Sequence, residues 1–152
     1  MDLTVTHSTH AQPQDVWAVM TDIEGSAEIL SGVKAIERLD DGSGFGEGLR
    51  WRETRVMLGR EAVEEMQVTA VDLETRSYVV EARSGGTHYR STLSVTPADA
   101  GSVITMTFGA DPDGPVQKVL AATLGRLFAG ATRKALQQDL VDIAAAAEAR
   151  DQ

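Results

Sequence analysis

Cysteine is absent from the chain, which excludes disulfides, thiolate metal sites and a cysteine nucleophile. A chain without thiols also suits a reducing cytosol. Aromatic residues make up only 5% of the sequence, so few bulky rings are available to fill a core. Positive charge is in the minority. The 14 Lys and Arg face 23 Asp and Glu, a formal charge of −9, where phosphate binding demands clustered basic residues. Nucleic acid and anionic membrane surfaces are therefore disfavoured as partners. No apolar run approaches the roughly 18 residues of a membrane span. The stretch Met1–His10 is alternating and polar, without the apolar core of a secretory signal. A cytoplasmic protein with no membrane insertion is the expectation.

What is present is ordinary for a globular domain. Hydrophobic residues reach 42% and charged residues 24%. The 152 residues show no internal repeat and no linker, so a single domain over 1–152 is expected. A domain of this size buries roughly 70% of the surface its unfolded chain exposes.

Hydrophobic period divides the chain in two. Leu3, Val5, His7 and Thr9 alternate with polar residues and predict a first strand. Pro13 opens a short helix with Ala11 or Gln12 near its cap, Asp15 in its first turn and Val16, Trp17 and Met20 on its apolar face. Gly25 and Gly32 bracket a second short helical piece. Strands are then expected at Val33–Asp40, Gly48–Leu58, Glu61–Leu73, Ser77–Arg83, Thr87–Thr96 and Ser102–Ala110. Turn clusters at 40–44, 59–60, 74–76, 85–86 and 97–101 separate them. Strands this close in sequence form an antiparallel meander. After the breaker run Asp111-Pro112-Asp113-Gly114-Pro115 the period becomes helical from Val116 to about Ala149. Its stripe runs Val116, Val119, Leu120, Leu124, Leu127, Phe128, Ala131, Ala135, Leu136, Leu140, Ile143.

The expected fold class is α+β: a curved six- to seven-stranded antiparallel sheet around one long C-terminal helix. A strongly twisted sheet curls, and a straight helix across it leaves space unless large side chains fill the gap. Small residues stand at expected inward positions, namely Ala70, Ala82, Ser91, Gly125 and Gly130. Glycine inside a helix costs about 1 kcal/mol relative to alanine. An apolar cavity between sheet and helix is the expectation, with a tightly packed core as its alternative.

Leu49, Trp51, Glu53, Arg55 and Met57 share one face of their strand. If Trp51 and Met57 point inward, Glu53 and Arg55 stand in or beside the cavity and can pair with each other, bind a ligand's polar head, or supply a general base. In the opposite phase Val56 and Leu58 are buried and the charges are solvated. Met66, Tyr78, Tyr89, Met106 and Phe108 occupy inward phases on successive strands, with Leu124 and Phe128 opposing them from the helix. A buried phenol needs a hydrogen-bond partner, and a ligand oxygen can serve. His7 shares the inward phase of its strand, while His10 and His88 are expected to be exposed.

No metal or cofactor is expected. The sequence has no His-x-x-x-His pair, and Gly42-Ser43-Gly44-Phe45-Gly46 is a turn with no helix after it. No serine stands in a nucleophile-elbow sequence, and no catalytic residue is assigned.

Asp15-Val16-Trp17-Ala18-Val19-Met20-Thr21-Asp22 resembles the first-helix signature of the bacterial START-like (SRPBCC) proteins. Gly48–Arg55 resembles their central strand, and Val68–Asp72 followed by Arg76–Val80 their next hairpin. The order of elements over nearly the whole chain is similar to the same superfamily, which includes the birch-pollen-allergen-like and the polyketide cyclase/dehydrase and lipid-transport families. The resemblance implies the helix-grip fold and a hydrophobic small-molecule ligand: a lipid, polyketide or aromatic metabolite. It also leaves open a polyketide cyclase/aromatase-type enzyme, or a regulatory module that binds a partner protein. The second short helix departs from the family, with Ser26-Ala27-Glu28-Ile29 where relatives often carry tryptophan. Fold alone does not choose among these functions.

Overall fold

In the computed structural model, residues 2–57, 59–84, 86–112 and 114–150 are described, with only the backbone described at 84, 112 and 115–128. The elements follow the expected order. They are β1 (Asp2–Thr9), α1 (Pro13–Met20), α2 (Ser26–Ile29), β2 (Val33–Arg38), β3 (Arg50–Met57), β4 (Arg60–Asp72), β5 (Ser77–Ser84), β6 (Thr87–Ala98), β7 (Gly101–Pro112) and α3 (Pro115–Arg150). All strands join one antiparallel sheet in the order β1-β7-β6-β5-β4-β3-β2. The meander β2 to β7 is therefore unbroken, and β1 closes onto its last strand. At 1.5 Å per residue the 36 residues of α3 span about 54 Å.

Local chemistry explains the element ends. Pro13 takes the first position of α1, where its missing N–H is no loss. Thr21 closes that helix by donating its hydroxyl to the Trp17 carbonyl at 2.8 Å. The β6–β7 hairpin is tighter than the turn expected at 97–101. Pro97 still pairs with Ser102 and Ala98 with Gly101, so only two residues make the connection. Gly101 has φ +145°, and a Cβ there would fall onto the Thr9 carbonyl oxygen and the His10 backbone. The hairpin thus supports the chain between β1 and α1 by backbone contact that no side chain permits.

One face of the sheet is covered. Its core joins Val5, Val16, Met20, Trp51, Val68, Tyr78, Leu93, Val95, Ile104, Leu140 and Ile143. Helix α3 packs on β1, β7 and α1. Along its described side chains Leu136, Asp139, Leu140, Ile143, Ala144 and Ala147 are buried, a stripe at three- and four-residue spacing. Four contacts fix this half of the helix. Arg133 Nη1 donates to the Thr4 carbonyl (3.2 Å) and Gln137 Nε2 to the Thr6 carbonyl (3.0 Å), so side chains one helical turn apart engage the edge strand β1. Thr9 Oγ1 donates to Glu148 Oε2 (2.6 Å), and Ser31 donates its N–H and hydroxyl to Asp142 Oδ2, each at 2.9 Å.

Three expectations are corrected. Ala70 is exposed, not inward, because a bulge between Val68 and Ala70 turns Thr69 and Ala70 outward together and keeps Val68 and Val71 on the covered face. Gly130 is exposed with open space around it, since six residues of helix turn it about 120° away from Leu136 and off the buried stripe. His88 is half-buried and shares a 2.8 Å hydrogen bond with Glu81. Gly125, Leu58 and Gly85 lie outside the described residues or side chains, as does the stripe from Val116 to Phe128.

Replacing Gly101 with Ala is expected to lower stability by more than the ~1 kcal/mol that a glycine change gives at a compatible site, because the new methyl meets main chain. Thermal unfolding of the variant checks this, and an unchanged midpoint would contradict the packing described.

Candidate functional site

Register places the inward side chains in rows across the sheet. One row runs Trp51, Met66, Ala82, Tyr89, Ala110. The next runs Val68, Val80, Ser91, Phe108, Leu3, and a third Tyr78, Leu93, Met106, Val5. Every strand residue expected at the site therefore lies on the covered face. The phase of β3 is also decided, with Trp51 and Glu53 buried and Val56 41% exposed. Leu124 and Phe128, expected to oppose these rows from the helix, lie outside the described side chains.

Burial changes along the rows. Tyr78, Leu93, Met106 and Val5 are buried, whereas Met66, Ala82, Tyr89, Ser91, Phe108 and Ala110 are half-buried. Tyr89 and Phe108 stack with ring centroids 5.8 Å apart. The covered face thus has a sealed end against α1 and a less enclosed aromatic end near the start of α3.

Tyr78 belongs to the sealed end. Its hydroxyl donates to the Met20 carbonyl at the end of α1 (2.8 Å), and its ring meets Trp17 and Phe45 edge-on. The expected ligand oxygen is therefore replaced by a main-chain acceptor, which takes the phenol's one proton. Burial, then Glu53 and Asp139, push its phenol far above the usual range.

The polar centre is a trio built from two elements. Arg55 on β3 donates Nη1 to Asp139 Oδ1 (3.1 Å) and Nη2 to Asp139 Oδ2 (3.0 Å), a bidentate pair between sheet and helix. Its Nε donates to Glu53 Oε2 (3.2 Å), as their shared face suggested. Trp51 Nε1 approaches Glu53 Oε1 at 3.4 Å. Gly32 leaves room for the guanidinium, since a Cβ there would stand 3.2 Å from Arg55 Nη1.

One cation serves two anions here, and the electrostatics follow. Burial disfavours the charged Arg55, but Asp139 and Glu53 together outweigh it and hold the proton more tightly than in a free arginine. Asp139 receives only part of the guanidinium's compensation, so burial pushes its carboxyl above the usual range. Three of the five guanidinium N–H groups are engaged, which leaves two for another oxygen.

Two residues of this centre were not anticipated. Asp139 lies inside the apolar stripe of α3, three residues after Leu136 and next to Leu140. Glu64 pairs directly with Glu53 across β3 and β4 and so shares the covered face. Both positions carried a signal, a carboxylate in an apolar period. Among the described residues no group of three His, Cys, Asp or Glu could hold a metal, and no helix is long and apolar enough to cross a membrane.

An open seven-stranded sheet gripping a long C-terminal helix, with a half-buried aromatic zone and a polar trio on the covered face, defines a helix-grip protein. The polyketide cyclase / dehydrase and lipid transport family matches residues 1–148, and the chain belongs to it. Among solved structures, TTHA0849 from Thermus thermophilus is 19% identical with a TM-score of 0.80, covering 100% of both chains. The Zhui aromatase/cyclase from Streptomyces sp. R1128 is 19% identical with a TM-score of 0.69, covering 100% of this chain and 94% of its own. Norcoclaurine synthase from Thalictrum flavum is 20% identical with a TM-score of 0.65, covering 93% and 94%. At these identities the likeness is one of fold. No curated protein matches the chain.

Removing Arg55 as Arg55→Ala would leave two buried carboxylates without their cation, at a cost of about 3–5 kcal/mol near neutral pH. The sign with pH follows from Asp139. Its folded pKa, already raised, rises further without Arg55, so the folded variant binds a proton more readily than the unfolded chain. The deficit relative to wild type is greatest at neutral pH and shrinks as pH falls through that raised value. Urea unfolding at stepped pH measures it, and a deficit independent of pH would refute the account.

Proposed function

We propose that the protein binds a hydrophobic small molecule between the covered face of the sheet and α3. The observation that carries this reading is the split in burial along the rows. Met66, Ala82, Tyr89 and Phe108 point to the covered face yet remain half-buried, beside a polar trio with donors to spare. Apolar surface gains about 25 cal/mol per Å² when a ligand covers it. The aromatic zone would take the apolar body, while the free N–H groups of Arg55 meet an oxygen at its polar end.

Membership of a family described by both cyclisation and lipid transport, together with aromatase/cyclase relatives of the same fold, favours a second reading. The same enclosure would hold a flexible chain in a folded pose, where proximity supplies most of the acceleration. Glu53 or Glu64 would then move the proton.

Nile red, a neutral lipophile, is expected to show a saturable fluorescence rise on titration with the protein. Native mass spectrometry of protein from its own host should also carry a co-purifying small molecule. Carrier and cyclase separate on Glu53→Gln, which lowers turnover of a polyketide surrogate without weakening binding only if the protein is an enzyme. Absence of both Nile red binding and a co-purifying molecule would overturn the binding reading.

A further inference from the structure

We propose that Glu64 selects the ligand's polar group, favouring a lipophilic molecule that carries an amine over a lipophilic carboxylate. The inference rests on the binding site proposed above and names the ligand class that site would accept.

Glu64 stands on the covered face by register, directly opposite Glu53 and one inward position from Met66. It is half-buried, and among the described residues it makes no hydrogen bond or ion pair. Of the charged groups around it, Arg55 offers partial relief, smaller than the opposing effects of burial and Glu53. On β3 the neighbouring cation Arg55 is bound on three sides by Glu53 and Asp139, and Glu53 itself is a like charge. On β6 the neighbour is Tyr89, whose phenol is pushed up by burial and then by the Glu64 charge. On α3 the described charge facing the trio is Asp139, also acidic.

Among the described side chains, the formal charge on this face is therefore three carboxylates, Glu53, Glu64 and Asp139, against one guanidinium, Arg55. Two of the carboxylates have the guanidinium. The third has none. Burial, and next the facing Glu53, raise the proton affinity of Glu64 against the lesser opposing pull of Arg55, as expected for a carboxyl whose charge is only partly compensated.

Like charges directly across an antiparallel pair are destabilising. A glutamine at position 64 would give the same shape without that repulsion, so the carboxylate has no structural justification in the trio. It does have a chemical use. An ammonium entering over Met66 and Tyr89 would find a carboxylate without a paired cation at the edge of an aromatic surface, an arrangement that favours a cation through both ion pairing and the ring faces. A carboxylate entering the same way would meet the like charge of Glu64, while the two N–H groups left on Arg55 belong to a charge already offset by Glu53 and Asp139; rejection by unpaired like charge is a general route to specificity.

The test displaces Nile red at neutral pH with decylamine, decanol and decanoate, which share an alkyl body and differ at the head. Wild type should bind decylamine at least about tenfold more tightly than decanoate, with decanol between them. In Glu64→Gln the amine should lose its advantage over decanol, decanoate should gain, and decanol should be unchanged. Thermal unfolding confirms that the isosteric variant is folded. Equal binding of amine and carboxylate by wild type, or an amine-to-decanol ratio that survives Glu64→Gln, overturns the assignment while leaving the binding site standing. Failure of Nile red and decanol to bind at all overturns the binding site and this inference with it.

Discussion

The bidentate pair between Arg55 and Asp139 is the constraint on which the rest of the arrangement depends. It is the described charge pair that joins the middle of β3 to α3, and it fixes the helix at a point away from β1 and β7, where the apolar packing lies. Its energetics are those of a buried ion pair, in which desolvation nearly cancels attraction. What it supplies is register: Asp139 can reach both guanidinium nitrogens in one azimuth and height of the helix only. The latches at Thr9–Glu148 and Ser31–Asp142 then act on a helix whose rotation is already set.

The same pair also organises the chemistry. Glu53 is held by Arg55 and Trp51, so its carboxylate is oriented, not merely present. Because Arg55 is shared, neither anion is fully compensated, and the centre keeps a net negative charge within an apolar face. This polar centre acts on Tyr78 at the sealed end and faces Glu64 toward the half-buried one.

Architecture was legible in the sequence because period, turn chemistry and helix length agree with one another. The alternation through Leu3 and Val5, the glycine turns and the stripe through Leu136, Leu140 and Ile143 each identify an element by local physics. The phase of β3 was left open in the sequence, because Val56 and Leu58 offered an apolar face as good as that of Trp51, and burial of Trp51 and Glu53 decides it; the sheet register brings Met66, Tyr89, Met106 and Phe108 onto the same face. What escaped was anything decided by long-range pairing or by a single inserted residue. The bulge at Val68–Ala70 shifts phase without a glycine or proline to mark it, so Ala70 was placed on the wrong face. Tyr78 finds its partner in the carbonyl of Met20, 58 residues away, which no local pattern encodes. Asp139 and Glu64 were visible as charges within apolar periods, but periodicity is read from its hydrophobic members and passes over the exceptions.

The edge strand β1 has a consequence in time. Its partner in the sheet is β7, with Asp2 opposite Gly109, and its other edge is engaged by Arg133 and Gln137 of α3. While a ribosome makes the chain from its first residue, β2 to β6 can pair with neighbours soon after they emerge, because each hairpin is local. The first strand cannot. It must wait, unpaired, for more than a hundred residues of synthesis, and the side chains that cover its free edge arrive later still. Non-local closure of this kind is slow and exposes strand edges meanwhile. In Asp2–Thr9, the outward positions at 2, 4, 6 and 8 are polar and exposed, composition that keeps an early, waiting strand in solution.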